Sequence, residues 1–219
     1  MRKLMLAVGL AALLAASAYG QSKQGDLEKV LNLLDQKSVG FKTVRTNFEW
    51  DQYQKVVDEH ERDEGVMYFK RSGNNVDVAA DIRTQGRSKK LVLKEGELQV
   101  FNRKTGQVTA YDTRKNRQSF ESFLALGFGG RGHDLQKNFE LRYTGPEEVM
   151  GVQTYKLELT PKSKQVKEMF PLITLWINQQ TGMSVQQRLD QGEGDYRTAK
   201  YTHIEPNATL PGDAFNLKK

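Results

Sequence analysis

The chain has 219 residues, 37% hydrophobic and 27% charged, with a formal net charge of +6 and no cysteine. That composition fits one globular domain with a sizeable core and excludes a low-complexity or disordered chain. The missing thiols exclude disulfide staples, thiolate metal sites, a cysteine nucleophile and lipidation on a cysteine beside a signal cleavage site.

Residues 1–20 have the plan of a secretory signal peptide. Arg2 and Lys3 precede an apolar run from Leu4 to Leu14, and small residues follow in two cleavage frames, Ala16-Ser17-Ala18 and Ala18-Tyr19-Gly20. The run is far short of the ~20 apolar residues that cross a bilayer. The expectation is export to the periplasm, with 21–219 as a single mature domain. Export argues against nucleic acid as a partner.

A helix opens that domain. Leu27, Val30, Leu31 and Leu34 recur at helical spacing behind Asp26 as N-cap, and Gly40 follows the end. The pattern then turns to period two. Val44, Thr46, Phe48 and Trp50 alternate with polar residues, and the charged stretch Asp58–Glu64 reads as a solvated hairpin turn. Met67, Phe69 and Arg71 then share one strand face, with Val66, Tyr68 and Lys70 on the other. Further strands are expected through Val76–Ile82, Leu91–Leu93, Leu98–Val100 and Val108–Ala110, with turns at Glu95-Gly96 and Thr105-Gly106.

Ser119–Leu126 reads as a short helix carrying Phe120, Phe123 and Leu124, stopped by Gly127. Strands resume at Phe139–Tyr143 and Tyr155–Leu159. Lys162–Phe170 allows one or two helical turns before Pro171. Ile173–Ile177, Met183–Val185 and Tyr196–Ile204 complete ten or eleven strands, with a turn at Thr181-Gly182. A sheet of that size must curl to bury a face. The expected fold is mainly β: a strongly curved antiparallel sheet forming an unclosed half-barrel, with two or three short helices as lid or plug.

Motifs for chemistry are weak. Gly127-Phe128-Gly129-Gly130-Arg131-Gly132 matches G-x-G-x-x-G, but a helix precedes it and a strand-like segment follows, the reverse of a dinucleotide fingerprint. It reads as a flexible loop. His60, His133 and His203 lack zinc-site spacing, and the acidic run 58–64 lacks a calcium-loop pattern. Ser119 and Ser122 lack a nucleophile-elbow context. No catalytic, metal or cofactor site is expected, and the chain is read as no enzyme. Basic clusters at Arg87, Lys89 and Lys90, at Arg103 and Lys104, and at Arg114, Lys115 and Arg117 are either solvated strand ends or a surface for anionic head groups.

The informative feature is apolar. Phe41, Phe48, Trp50, Met67, Phe69, Trp176 and Met183 supply aromatic and flexible side chains suited to a pocket for variable chains, or to an ordinary core. Arg71 shares a face with Met67 and Phe69, so its guanidinium needs acceptors there, such as the carbonyls at a helix C-terminus.

Several segments in order resemble the LolA-type outer-membrane lipoprotein carriers. They are Met67-Tyr68-Phe69-Lys70-Arg71, the strand Tyr155–Leu159 running into Thr160-Pro161-Lys162, Phe41 after the first helix, Leu175-Trp176-Ile177, and the closing Ile204 with Phe215. Ser72 stands where the family usually has proline, and Phe215-Asn216-Leu217 lacks a common Pro-Pro pair. The resemblance implies a helical lid over a hydrophobic cavity lined by Phe41, Phe48, Trp50, Met67, Phe69, Phe120, Phe123, Leu124, Leu157 and Leu175, with Arg71 as the lid latch. It implies a monomeric carrier without cofactors that takes acylated lipoproteins or lipids from an inner-membrane ABC-type complex to an outer-membrane acceptor. The alternative it leaves open is a lipid or lipoprotein sensor on the same fold, as in periplasmic RseB regulators.

Overall fold

A computed structural model describes residues 25–72, 75–84, 86, 88–112 and 126–217. The signal segment and the expected helix with Phe120, Phe123 and Leu124 lie outside the described residues.

The period-two segments form eleven strands of one antiparallel sheet. They are β1 (Thr43–Gln54), β2 (Glu59–Ser72), β3 (Asn75–Ile82), β4 (Lys89–Lys94), β5 (Glu97–Asn102), β6 (Val108–Asp112), β7 (Phe139–Val149), β8 (Val152–Pro161), β9 (Leu172–Asn178), β10 (Ser184–Gly192) and β11 (Asp195–Pro206). The order is β6-β5-β4-β3-β2-β1-β11-β10-β9-β8-β7. Two meanders, β1–β6 and β7–β11, are therefore joined by pairing of the first strand with the last, Phe48 opposite Tyr201 and Trp50 opposite Ala199. β6 and β7 end the order without pairing to each other, so the half-barrel is unclosed.

Three helices accompany the sheet among the described residues: α1 over 25–39, α2 (Gly132–Asn138) and α3 (Lys164–Met169). Asp26 lies inside α1 and not at its cap. α1 buries the expected stripe, Leu27, Val30, Leu31 and Leu34, against Leu157 and Leu159 of β8 and Ile173, Leu175 and Ile177 of β9. Each such side chain contributes about 1.5–3 kcal/mol on burial.

Three expectations are corrected. Asp58–Glu64 is not a turn: the turn occupies 55–58, and β2 begins at Glu59 and runs through the charges. The glycine-rich motif is followed by α2 and not by a strand. Trp176 does not face the aromatic cluster. It packs with Val149 and Val185 on the face opposite its neighbours Leu175 and Ile177. All of β9 from Ile173 to Ile177 is buried, so both of its faces are covered.

Candidate functional site

The face of the sheet that carries α1, here the inner face, is divided in two. Under α1 lies the aliphatic cluster that contains Leu157 and Leu175. Over β1, β2, β3 and β11 lies a second cluster in which Phe41, Phe48, Met67 and Phe69 meet Phe128, Met183 and Tyr201, with Trp50 partly buried at its margin. The structure thus gathers four of the expected cavity residues, sets a fifth at their edge and places Leu157 and Leu175 in the neighbouring cluster.

Phe128 fills the centre. Its side chain is fully buried. It stacks on Phe69 with centroids 4.4 Å apart and meets Tyr201 edge-on at 4.8 Å. The sequence pointed to a hinge here and missed the plug. The signal was one aromatic between glycines. Gly127 and Gly129 have φ of +77° and +73°. A Cβ on Gly127 would stand 2.3 Å from Ser184 Cβ, and one on Gly129 would stand 2.3 Å from the Phe41 ring. Only glycine fits either position, and the two together turn a single side chain inward. Leu126 belongs to the aliphatic cluster, so residues 126–129 bridge the two halves of the inner face.

Backbone carbonyls hold this loop. The Gln187 side-chain amide donates to Leu126 O at 2.5 Å, and Ser184 N–H donates to Gly127 O at 2.9 Å. The Arg71 guanidinium donates through Nη2 to Gly129 O and through Nε to Phe41 O at 3.2 Å. It also lies over the Phe41 ring, 5.3 Å from the centroid. The acceptors of Arg71 are therefore the glycine loop and Phe41, two residues past the end of α1. Tyr201 OH donates to Gln187 Oε1 at 3.1 Å, and complete burial holds the Tyr201 phenol well above its ordinary pKa. That bond leaves the Gln187 amide nitrogen facing the loop.

Past Trp50 the inner face turns polar. Arg197 lies 5.8 Å from the Trp50 ring centroid and donates from Nε to Gln52 Oε1 at 2.9 Å, and Gln52 donates to Gln191 at 2.5 Å. Burial pulls the Arg197 pKa below its ordinary value, opposed by the charges of Asp63 and Glu61. The apolar patch therefore has a charged border. A groove of about 260 Å³ opens by the β9–β10 turn and touches Met183, Val185, Tyr201 and Ile204.

α2 is tied to α1 beside the loop. His133 Nδ1 lies 2.5 Å from Asp35 Oδ2, and Nε2 lies 2.9 Å from Glu28 Oε1. Hydrogen bonds to Asp35 and then Glu28 raise the imidazole pKa. Burial works against the Asp35 charge, but the bonds from His133 outweigh it and hold the carboxyl below its ordinary range.

Two of the expected basic residues serve the fold, and Arg87, Arg114, Lys115 and Arg117 lie outside the described residues. Lys90 is buried, and its Nζ donates to Asp213 O at 2.8 Å. This pins a C-terminal segment whose Ala214 and Phe215 pack on Tyr68, Ala79 and Val92 on the outer face. Desolvation lowers the Lys90 pKa. Arg103 pairs with Asp81 at 2.8 Å. Among the described residues no cluster of three or more His, Asp or Glu could hold a metal, and no helix is long and apolar enough to cross a membrane.

No family model matches the sequence, and no curated protein is significantly similar to it. Solved structures do match. A chain of the Pseudomonas aeruginosa MucA/MucB complex aligns with TM-score 0.55 at 15% identity, covering 87% of this chain and 60% of that one. A DUF1329 family protein from Desulfovibrio piger aligns with TM-score 0.50 at 13% identity, covering 90% and 99%. A LolA superfamily protein from Nitrosomonas europaea gives TM-score 0.41 at 13% identity, covering 86% and 96%. The chain spans about 60% of the length of the MucA/MucB-complex chain it matches. At these identities the likeness is one of fold, shared with the MucA/MucB-complex chain and the DUF1329 family protein.

Proposed function

We propose that this chain is an exported, periplasmic carrier that shields the acyl chains of lipoproteins or related lipids against the inner face of the half-barrel and hands them on. One observation carries the reading. Among the described residues, the aromatic half of the inner face is covered by the turn 126–129 and its one inserted side chain, Phe128, where the aliphatic half is covered by a helix. A loop held by three carbonyl bonds is a cover that a ligand can displace. Beneath it lie Phe41, Phe48, Met67 and Phe69, a surface for a hydrocarbon chain. Each methylene kept from water is worth ~0.8 kcal/mol, so an acyl chain supplies enough to open the cover. In this reading Arg71 is the latch: its bond to Gly129 O stabilises the empty, closed state against the loaded one. The carrier is passive, performs no catalysis and needs no cofactor. Its partners are an inner-membrane release complex and an outer-membrane acceptor.

The test is titration of the mature protein, stripped of lipid, with a fluorescent fatty acid or lipopeptide. Wild type binds. Trp50→Glu, at the half-buried margin where the fold tolerates a charge, lowers affinity at least about tenfold, the result of desolvating a carboxylate against the chain. Absence of binding across a range of chain lengths sinks the reading.

A second reading is a regulatory binding module. Its support is the TM-score of 0.55 with a chain of a MucA/MucB complex. Transfer separates the two: a carrier delivers a labelled lipoprotein to outer-membrane vesicles, and a sensor retains it. For a carrier, Arg71→Leu still takes up cargo but releases it poorly, because the closed state no longer competes.

A further inference from the structure

We infer that the ligands of this face are amphiphiles whose ester or amide carbonyls sit directly beside the acyl chain, because the loop 126–129 is a built-in imitation of one. The inference rests on the acyl-binding reading and deepens it to a ligand class. In the closed state the loop places one apolar side chain, Phe128, against Phe69 and Tyr201. It places three carbonyls, of Leu126, Gly127 and Gly129, on three donors: the Gln187 amide, the Ser184 N–H and the Arg71 guanidinium. Four consecutive residues in a turn span about 7 Å or less, so the three acceptor points are clustered at the root of one apolar group. An acyl chain joined to a backbone through an ester or amide presents the same arrangement.

The donors make this arrangement selective. Gln187 and Ser184 are buried, and Arg71 is partly so. When the loop leaves, the Gln187 amide and the Ser184 N–H lose these acceptors in apolar surroundings and Arg71 keeps only Phe41 O, and a buried donor left unpaired opposes opening. A bare hydrocarbon replaces Phe128 and leaves the donors unpaired. A ligand with carbonyls beside its chain replaces both parts of the loop. Tyr201 is a positioning residue, because its bond to Gln187 Oε1 fixes the amide with its donor toward the incoming carbonyl.

The experiment displaces a bound fluorescent fatty acid from the delipidated mature protein with two matched pairs of competitors. One pair is a diacyl phosphatidylcholine and its diether counterpart of equal chain length. The other is a diacylated lipopeptide and its dialkyl-ether counterpart. One or two restored hydrogen bonds predict that the ester or amide member binds about 3–30 times more tightly. A preference in either pair supports the inference, and the pair bound more tightly names the source as phospholipid or lipoprotein. Gln187→Leu brings the ratio toward one by raising ether affinity, because opening no longer leaves that donor unpaired, and Tyr201→Phe, a gentler change, moves the ratio the same way. Equal binding within both pairs overturns the inference and leaves acyl binding standing. A ratio unchanged in both variants overturns the assignment of these donors. Failure of all four competitors to displace the bound fatty acid overturns the inference, and failure of the fatty acid itself to bind overturns the acyl reading.

Discussion

Replacing Phe128 with alanine separates a displaceable cover from an ordinary core. Its ring is fully buried between Phe69 at 4.4 Å and Tyr201 at 4.8 Å. Truncating a buried phenylalanine costs about 3–5 kcal/mol, and that range already contains the aromatic pairings. The loop sits beside glycines and is held by few bonds, so the site can relax, and the expected cost is about 3 kcal/mol. Urea unfolding reads it as a lower midpoint with unchanged slope. The second consequence is opposite in sign. If Phe128 competes with the ligand, weakening closure by about 3 kcal/mol raises apparent acyl affinity by up to about 100-fold, limited by the fraction of wild type already open. Titration with a fluorescent fatty acid measures it on the same preparation. A variant that loses stability and also binds more weakly refutes the reasoning, because Phe128 is then a wall of the site and not its occupant.

Two other contacts give checks of a different kind. The His133 imidazole, raised by Asp35 and Glu28, contributes stability that is fully present below the ordinary histidine pKa and is lost as pH rises through the raised one. Asp35, lowered in the fold, contributes above its ordinary value of 3.8, and that contribution is lost as pH falls through the lowered one. An NMR titration of His133 should show its pKa falling in Asp35→Asn; an unmoved value refutes the pairing. Lys90→Met keeps the buried aliphatic volume but removes the bond to Asp213 O, 2.8 Å in the native chain, at a cost of about 1–2 kcal/mol. Limited proteolysis should then cut within 207–217 faster than in wild type, and equal rates show that the apolar contacts alone seat that segment.

The sheet was legible wherever one strand face meets the core. In β1, Val44, Thr46 and Phe48 alternate with more exposed neighbours because only their side is buried, and Glu95-Gly96 and Thr181-Gly182 stand at the turns. The first half of β2 was hidden for the same reason. Glu59 to Glu64 pair with β1, whereas pairing with β3 begins at Gly65. Past the end of β3 this half of β2 is an edge of the sheet, with β1 paired on its other side to β11, and an edge segment beyond the core needs no apolar face, so its sequence can be charged throughout. Trp176 was misplaced because β9 is buried on both sides, which erases the alternation that assigns a face. Arg71 was readable as a cation needing carbonyls, since parity placed it beside Phe69. Which carbonyls it takes depends on Gly129, more than fifty positions away in sequence, and no local pattern encodes that pairing.

The two halves of the inner face differ in a way that packing alone does not require. Under α1 the contacts are leucine, isoleucine and valine with few aromatics, the composition of a core closed once during folding. Under the loop, phenylalanine, methionine and tyrosine join valine, isoleucine, leucine and alanine, with a buried glutamine, a buried serine and a partly buried arginine among them. In a permanent core these polar groups add desolvation cost, and well-packed apolar residues in their place are often neutral or stabilising. For the glutamine and the arginine that cost is offset in this state by loop carbonyls, and the Ser184 hydroxyl is satisfied by Gln186 O. A face that must be covered by its own loop when empty and by a foreign chain when loaded needs flexible apolar contacts together with donors that either occupant can satisfy. The aromatic half has both, and under the proposed acyl binding this half exchanges its occupant while the aliphatic half supplies stability.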